Sequence, residues 1–218
     1  MTTAASDLLK RAFDLVVAAV GLIVTGPLFA VIAVIITLDS PGPVFYRGER
    51  VGRGGRTFRI FKFRTMVHNA EALGGPSTAD DDPRITRVGR WLRRHKVDEL
   101  PQLLNVLTGE MSIVGPRPEV SQYAALLSAE ERAILSVRPG MTDWASIWDI
   151  DEGQELAGST DAERKYLEEI RPQKVRLQLQ YVREHSLGTD LRIIAHTLAR
   201  LLRLRVMGER STSGGPSR

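Results

Sequence analysis

Residues 15–38 of this chain read LVVAAVGLIVTGPLFAVIAVIITL, and this stretch decides the fold. The run holds no charged residue and is longer than the roughly 20 apolar residues that a helix needs to cross a bilayer. It also exceeds the roughly 7–15 apolar residues of a signal peptide, and no small-residue cleavage pattern follows it before Asp39. The sequence therefore predicts a membrane helix that is retained.

Gly26 and Pro27 lie in the middle of this run. Proline removes a backbone donor and clashes with the preceding turn, so the pair predicts a kink in the helix. Each limb is then about 12 residues or roughly 18 Å long, which is well short of the ~30 Å hydrocarbon core. The pattern favours a re-entrant hairpin that enters and leaves one leaflet. A kinked helix that spans the bilayer once is the alternative.

Basic residues flank the membrane run on both sides. Lys10 and Arg11 precede it. The basic residues that follow it are Arg47, Arg50, Arg53, Arg56, Arg59, Lys62 and Arg64. Because positively charged flanks stay in the cytoplasm, both ends of the run are predicted to face that side.

Composition restricts the function class. A length of 218 residues fits one ordinary domain with a hydrophobic core. A net charge of +4 and a pI near 9.7 imply attraction to nucleic acid, anionic lipid or phosphorylated substrates. Only 6% of residues are aromatic, so few stacking platforms are available for single-stranded nucleic acid. The absence of cysteine excludes disulfides, thiolate nucleophiles and Cys-ligated zinc.

A β-hairpin is predicted directly after the membrane run. Val44–Tyr46 and Thr57–Arg64 flank a segment that contains Gly54 and Gly55. On the second strand Lys62 and Arg64 share a face and lie about 6.5–7 Å apart. That spacing suits neighbouring phosphates, although surface strands carry such pairs for solubility at least as often.

An arginine-rich helix and an adjacent acidic pair follow. Thr86 is predicted to cap a helix whose polar face is basic. The arginines of that face are Arg87, Arg90, Arg93 and Arg94. The next helix is predicted to open at Asp98, so that Asp98 and Glu99 lie where the helix dipole favours negative charge. Ordinary helix capping is the other interpretation of this pair.

Two proline-rich corners are predicted to fix arginines in place. Gly115–Pro118 contains Arg117 and follows a short apolar strand, and Arg138–Gly140 repeats the pattern. An immobilised guanidinium is well matched to a phosphate. Together with the upstream arginines, these corners indicate a carboxylate pair surrounded by cations.

Several motifs in this order resemble the bacterial sugar transferase family, the small monotopic polyprenyl-phosphate phosphoglycosyl transferases. The motifs are Lys62–Met66, Asp82–Thr86, Asp98–Gln102, Gly115–Pro118 and Arg138–Gly140. The resemblance extends from Lys10–Asp14 to Asp190–Ile194.

This resemblance implies an Asp98–Glu99 catalytic dyad, with Mg²⁺ held near both carboxylates, and a two-step reaction. Asp98 would attack the sugar-proximal phosphorus of a UDP-sugar and release UMP, and a polyprenyl phosphate such as undecaprenyl phosphate would then take the phosphosugar. Glu99 would position magnesium or assist proton movement. The side chains assigned to substrate phosphates are Arg90, Arg93, Arg117, Lys62, Arg64 and Arg138. For each of these, a solvated surface charge is the alternative.

One segment departs from the family pattern. Many relatives carry a Gly-Trp-Ala-Gln-Val-Asn-Gly-like run after the second corner, where this chain has Thr142–Glu152. If that loop helps to hold the sugar or the nucleotide, this chain selects a less usual substrate. The departure leaves Asp98, Glu99 and Arg117 in place.

The expected architecture is α+β and mostly helical. It comprises a re-entrant membrane helix hairpin (10–39), a small cytoplasmic catalytic domain with a β-hairpin and interfacial amphipathic helices (40–207) and a disordered tail (208–218). The arginine-rich helix Leu187–Val206 either lies in the membrane interface or packs on the core.

The expected site of action is the cytoplasmic face of a bacterial inner membrane. The expected partners are a UDP-sugar, a polyprenyl phosphate and membrane lipid, with no nucleic acid; a homodimer is left open. A non-catalytic scaffold of the same fold is the rival hypothesis, and a membrane-tethered nucleic-acid binder is a weaker one.

Overall fold

A computed structural model describes the backbone of residues 3–75 and 77–213 and the side chains of residues 5–75 and 77–202. The helices are α1 (Thr3–Asp39), α2 (Ala70–Leu73), α3 (Arg87–Arg94), α4 (Gln102–Thr108), α5 (Ser121–Ala124), α6 (Trp144–Trp148), α7 (Glu152–Leu156), α8 (Ala162–Lys165), α9 (Arg171–Glu184) and α10 (Leu187–Ser213). The strands are β1 (Phe45–Tyr46), β2 (Glu49–Val51), β3 (Thr57–Arg59), β4 (Lys62–Phe63), β5 (Ser112–Val114) and β6 (Gly140–Thr142). The predicted α+β, mostly helical class is confirmed.

The membrane run forms α1, a helix of 37 residues that contains Pro27. It is the one helix in the described part of the chain that is long and apolar enough to cross a membrane. The helical assignment continues through Gly26 and Pro27, so the run does not divide into two separate helices there. Whether α1 is re-entrant stays a prediction.

Both halves of α1 pack on the rest of the protein, and its middle does not. Ala18, in the first half, is buried in the same cluster as Leu103 of α4. Ile36, in the second half, is buried with Phe63 and Leu92. In the stretch 23–28, between these two clusters, the aliphatic side chains Ile23 (78%), Val24 (72%) and Leu28 (42%) are exposed. The apolar middle of α1 is therefore free to contact lipid.

Polar contacts hold the N-terminal end of α1. Lys10 Nζ lies 2.5 Å from Asp190 Oδ2 of α10, and Arg11 donates to the Val106 carbonyl at 2.8 Å. The buried Asp14 carboxylate accepts a hydrogen bond from the Ile113 amide at 3.1 Å. These contacts tie the start of the membrane helix to the same domain that carries α4 and β5.

The C-terminal end of α1 is held by Arg64, which corrects one sequence prediction. Arg64 was predicted to bind phosphate, but only 5% of it is exposed. Its guanidinium donates to the carbonyls of Ser40 (2.6 Å), Pro41 (2.9 Å) and Ile36 (3.3 Å). The last carbonyls of a helix lack intrahelical donors, so Arg64 is used to satisfy them.

The predicted β-hairpin is confirmed as a ribbon of two antiparallel pairs. β2 pairs with β3 around a 3₁₀ turn at Arg53–Gly55, and β1 pairs with β4. Phe63 faces the core with 1% exposure, so the adjacent Lys62 points to the opposite face. The ribbon therefore delivers Lys62 to the surface on which the candidate site lies.

β5 and β6 form a short parallel pair with Ser112 opposite Gly140. A Cβ atom on Gly140 would lie 2.0 Å from the backbone nitrogen of Gly115, so only glycine permits this approach of the two chains. The predicted corners Gly115–Pro118 and Arg138–Gly140 consequently lie side by side.

The C-terminal helix α10 runs to Ser213, into the segment 208–218 for which the sequence predicts disorder. Residues 214–218 lie outside the described residues. On α10 the aliphatic side chains Leu191 (50%), Leu198 (56%) and Leu202 (63%) are exposed, while Ile193 is fully buried. The helix thus packs on the core with one face, and contact of the other face with membrane lipid stays a prediction.

We expect Arg64→Met to lower the free energy of unfolding by roughly 2–4 kcal/mol, because several buried carbonyls would lose their donor. Chemical denaturation in detergent, followed by circular dichroism, measures this loss. Arg59→Met is the matched control, since Arg59 is exposed on β3. An equal loss in both variants would contradict the capping role of Arg64.

Candidate active site

Asp98 and Glu99 lie in a 3₁₀ turn, Val97–Glu99, that leads into α4. The sequence predicted that the α-helix opens at Asp98, but α4 begins at Gln102. The turn follows Lys96, whose backbone is left-handed (φ 54°) and which is the one non-glycine residue with positive φ in the described part of the chain. Such backbone positions are uncommon and cluster at functional sites.

Glu99 is held by two cations. Lys62 Nζ lies 2.7 Å from Glu99 Oε1. The Arg117 guanidinium forks onto the same carboxylate, donating to Oε2 at 3.1 Å and making a short contact with Oε1. The side chains of Glu99, Lys62 and Arg117 are 19%, 18% and 31% exposed. Both Glu99 oxygens are therefore occupied, as expected for a carboxylate that orients cations.

Asp98 has the opposite environment. The residue is 7% exposed. Among the side chains and backbone groups that the structure describes, none donates a hydrogen bond to its carboxylate. The positive charges of Lys62, Arg93 and Lys96 nevertheless act on it. Asp98 is thus a nearly buried carboxylate in a cationic setting with its lone pairs free.

The pKa values of the two adjacent carboxyl groups move in opposite directions. Burial raises the pKa of Asp98; the Lys62 charge opposes this rise, and the Glu99 charge adds to it. Burial alone would raise the pKa of Glu99 too, but the charges and hydrogen bonds of Arg117 and Lys62 hold it well below its usual value. Glu99 is therefore permanently ionised, while the charge of Asp98 responds to its surroundings.

The six predicted phosphate-binding side chains differ in their burial and in whether they contact the dyad. Lys62 and Arg117 join the dyad directly through Glu99. Arg93 is half-buried on α3, and its Nη1 is in the interior with no hydrogen-bond partner among the described residues. Arg90 is exposed on the same helix. Lys62, Arg93 and Arg117 are therefore the cations that act on Asp98 or Glu99, and phosphate binding by any of the six stays a prediction.

Arg138 makes its described contact away from the dyad, and its predicted phosphate-binding role stays a prediction. Its Nε donates at 3.0 Å to the carbonyl of Gly109, the residue that ends α4. Asp98 lies beyond the other end of that helix. The second corner is thus fixed, as predicted, but it carries its guanidinium to the α4 C-terminus, where cations are favoured by the helix dipole.

Behind Arg117 lies a buried polar network that sequence reasoning missed. The Asp143 carboxylate accepts from the Arg117 amide at 3.4 Å, and Gln178 of α9 donates to the Arg117 carbonyl at 3.5 Å. Lys174, one turn earlier on α9, lies 2.5 Å from Glu152 Oε2. The only sequence signal was that Thr142–Glu152 departs from the family pattern.

A magnesium ion fits this site in one way. Within the described residues, no group of three or more His, Cys, Asp or Glu is arranged to hold a metal. Mg²⁺ is, however, commonly bound by one or two carboxylates together with substrate phosphates. The Asp98 oxygens are free for such a role, whereas both Glu99 oxygens are already paired with Lys62 and Arg117.

Comparison with known proteins identifies related chains. Residues 5–204 match the sequence profile of the family described as bacterial sugar transferase. The chain is 42% identical over 198 residues to an undecaprenyl-phosphate glucose phosphotransferase of Komagataeibacter xylinus, covering 88% of this chain and 35% of that protein.

Two further relatives differ in name and length. A UDP-N-acetylgalactosamine-undecaprenyl-phosphate N-acetylgalactosaminephosphotransferase of Aeromonas hydrophila is 36% identical over 89% of this chain and 44% of its own length. The exopolysaccharide production protein PSS of Rhizobium leguminosarum bv. phaseoli is 40% identical over 87% of this chain and 93% of its own length. The chain thus spans less than half of the first two relatives but nearly all of the third.

We expect Glu99→Gln to lower the free energy of unfolding at pH 7 by roughly 3–5 kcal/mol, because Lys62 and Arg117 would lose a buried counter-charge. A carboxyl group whose folded pKa is depressed stabilises above its unfolded pKa and loses that contribution as pH falls through the folded pKa. The difference between variant and wild type should therefore shrink below about pH 4.3. Denaturation at several pH values measures it.

Glu168→Gln is the control for this measurement. Glu168 pairs with Arg164 at 3.0 Å, but both side chains are largely exposed, so its loss should cost about 0–1 kcal/mol. If Glu99→Gln were no more destabilising than Glu168→Gln, Glu99 would not be the centre of an ion cluster that matters to stability.

Proposed function

Because the chain belongs to the bacterial sugar transferase family, we propose that it transfers a sugar 1-phosphate from a UDP-sugar to undecaprenyl phosphate. The observation that carries the proposal is the contrast within the dyad. Asp98 is nearly buried with free lone pairs, and the adjacent Glu99 is saturated by Lys62 and Arg117. One carboxylate is free to react while its neighbour holds cations beside it.

Asp98 is the proposed nucleophile. An Asp98 oxygen bonds to the sugar-proximal phosphorus of the donor, the bond from that phosphorus to the bridging oxygen breaks, and UMP leaves with the electron pair. A phosphate oxygen of undecaprenyl phosphate then attacks the same phosphorus. The bond to Asp98 breaks, and the carboxylate is regenerated together with an undecaprenyl diphosphate sugar.

The surrounding cations counter the repulsion between an anionic nucleophile and an anionic donor. Arg93 offers a buried guanidinium nitrogen without a partner among the described residues. Arg117 is 31% exposed, so its outer edge is accessible while its fork is fixed on Glu99. Both would contact donor phosphates. Arg90, which is exposed on the same helix as Arg93, would act from a greater distance.

Glu99 is the proposed positioning residue of the dyad. A carboxyl group with a strongly depressed pKa is a poor proton carrier near neutral pH, and the pKa of Glu99 is depressed by Arg117 and Lys62 despite its burial. Of the two roles considered from the sequence, positioning magnesium and assisting proton movement, the depressed pKa disfavours proton movement.

Mg²⁺ is the proposed cofactor, held by Asp98 and the donor phosphates. When bound, it would neutralise phosphate charge and polarise the phosphoryl group. Glu99 Oε1 accepts from both Lys62 and Arg117, whereas Oε2 accepts from Arg117 alone, so Oε2 is the Glu99 atom that would join Asp98 at the ion.

A re-entrant course for α1 is supported by the contacts at its two ends. Lys10 and Arg11 at the start, and Asp39 and Ser40 at the end, are hydrogen-bonded to parts of the same domain. A helix that spanned the bilayer would place its two ends on opposite faces of the membrane. We infer that α1 dips into the cytoplasmic leaflet of a bacterial inner membrane and returns.

The named relatives differ in their sugar, since one is a glucose and another an N-acetylgalactosamine phosphotransferase. The sugar used by this chain is therefore to be found with a panel of donors. A non-catalytic scaffold remains the rival hypothesis, and turnover decides between the two.

We expect purified protein, with Mg²⁺, undecaprenyl phosphate and a suitable UDP-sugar, to release UMP. Asp98→Asn should slow this release by at least on the order of 10³-fold, because an amide does not replace the nucleophile. Without the acceptor, wild type should release about one UMP per enzyme and retain labelled phosphosugar on Asp98. Asp161→Asn, an exposed cap of α8, is the control and should retain activity.

No UMP release by folded, membrane-bound wild type with any UDP-sugar would contradict the proposed donor and favour the scaffold. Release that persists in Asp98→Asn would contradict the role of Asp98.

The topology of α1 can be tested because the chain has no cysteine. We expect Asp7→Cys, before the membrane run, and Thr160→Cys, in the catalytic domain, to react with a membrane-impermeant maleimide in inverted vesicles and not in spheroplasts. Both residues are exposed. Labelling of Asp7→Cys only in spheroplasts would show a spanning helix and contradict the re-entrant proposal.

A further inference from the structure

We propose that Lys174 is a positioning residue for phosphosugar transfer, which fixes the segment Asp143–Glu152 and, through that segment, the phosphate-binding Arg117. The inference rests on the proposed function, because it assigns Arg117 to the donor phosphates. Lys174 itself lies on α9, behind Arg117, and would not touch the substrate.

Lys174 is buried between two carboxylates of one segment. Its side chain is 6% exposed, and its Nζ lies 2.5 Å from Glu152 Oε2 and 3.3 Å from Asp149 Oδ2. The ammonium also lies 5.1 Å from the centre of the Tyr166 ring, within the range of a cation–π contact. A buried ammonium with this set of partners locks the segment onto α9.

Three structural elements meet at Arg117 through this arrangement. The Arg117 amide donates to Asp143, at the start of the segment, at 3.4 Å. The Arg117 carbonyl accepts from Gln178, which lies one turn after Lys174 on α9, at 3.5 Å. The corner, the segment and α9 thus form a closed polar triangle. Lys174 supplies the side between the segment and α9.

The pKa shifts of Asp149 and Glu152 show why the link between the segment and α9 depends on Lys174. Burial raises the pKa of Asp149 to about 8, and the nearby Glu152 contributes, although Lys174 opposes the rise. Burial would likewise raise the pKa of Glu152, but Lys174 holds it at about 2. Glu152, which lies nearer to the Lys174 ammonium than Asp149 does, is therefore the carboxylate whose charge depends most on Lys174.

The Glu152 charge also acts on the guanidinium side of Arg117. It raises the pKa of Arg117, as Glu99 does more strongly. Two anions therefore act on the Arg117 guanidinium, Glu99 of the dyad and Glu152 of α7. Without Lys174, Glu152 would be left to compete for the guanidinium that Glu99 orients.

Lys174→Met is the decisive variant, because methionine keeps the length of the side chain and removes the charge. We expect it to reduce kcat/KM for the UDP-sugar by about tenfold, while Lys174→Arg retains most of the activity. Arg176→Met, which removes an exposed cation on α9, should be close to wild type. The membrane-bound fraction of each variant is measured alongside.

A double-mutant cycle separates positioning of Arg117 from a general structural role. If Lys174 acts through Arg117, the roughly tenfold effect of Lys174→Met should fall below about twofold in an Arg117→Ala background. An equal effect in both backgrounds would overturn the inference. Should Lys174→Met fail to fold, Glu152→Gln takes its place in the same cycle with the same expected loss of effect.

Hydrogen exchange gives a second readout that does not need turnover. The Arg117 amide should exchange faster in Lys174→Met than in wild type, and the same rate in both proteins would overturn the inference. If wild type released no UMP with any donor, the proposed function would fail, and the exchange measurement would still decide whether Lys174 fixes Arg117.

Discussion

The ionised Glu99 carboxylate, held between Lys62 and Arg117, is the interaction on which the site depends. Each partner comes from a different element: Lys62 from the ribbon, Arg117 from the corner after β5, and Glu99 from the turn before α4. Partly buried charges are stable only when their hydrogen-bonding capacity is met. The three elements must therefore converge for any of the three side chains to be tolerated, and their convergence places Asp98 among cations.

The same principle shapes the membrane helix. The ends of α1 are fixed by charged groups, Lys10 and Arg11 at one end and Arg64 at the other, while the aliphatic middle makes no such contacts. The helix is consequently part of the domain core towards both ends, and aliphatic side chains are exposed between them. Because α1 packs against α4 near Leu103 and against Phe63 beside Lys62, its position also sets the depth of the active site relative to the membrane.

Sequence reasoning predicted those features that depend on local pattern. The apolar run, the ribbon and the capping of α3 by Thr86 follow from periodicity and turn chemistry. The contacts of individual cations cannot be predicted in this way, because an arginine that caps a helix and an arginine that binds phosphate look alike in sequence. Arg64 and Arg138 donate hydrogen bonds to carbonyls at helix ends, and Lys174 pairs with carboxylates distant in sequence.

Opposite charges are linked in a series across the site. Glu99 pairs with Lys62 and Arg117, the charge of Glu152 acts on Arg117, and Glu152 pairs with Lys174. In such a series each charge is stabilised by its neighbours in a low-dielectric setting, so a change at Lys174 alters the field at Glu99. This explains how adjacent carboxylates of similar intrinsic acidity acquire opposite pKa shifts: Glu99 lies within the series, and Asp98 terminates it. A terminal carboxylate, with free lone pairs and cations behind it, is the member of the series that is left to react.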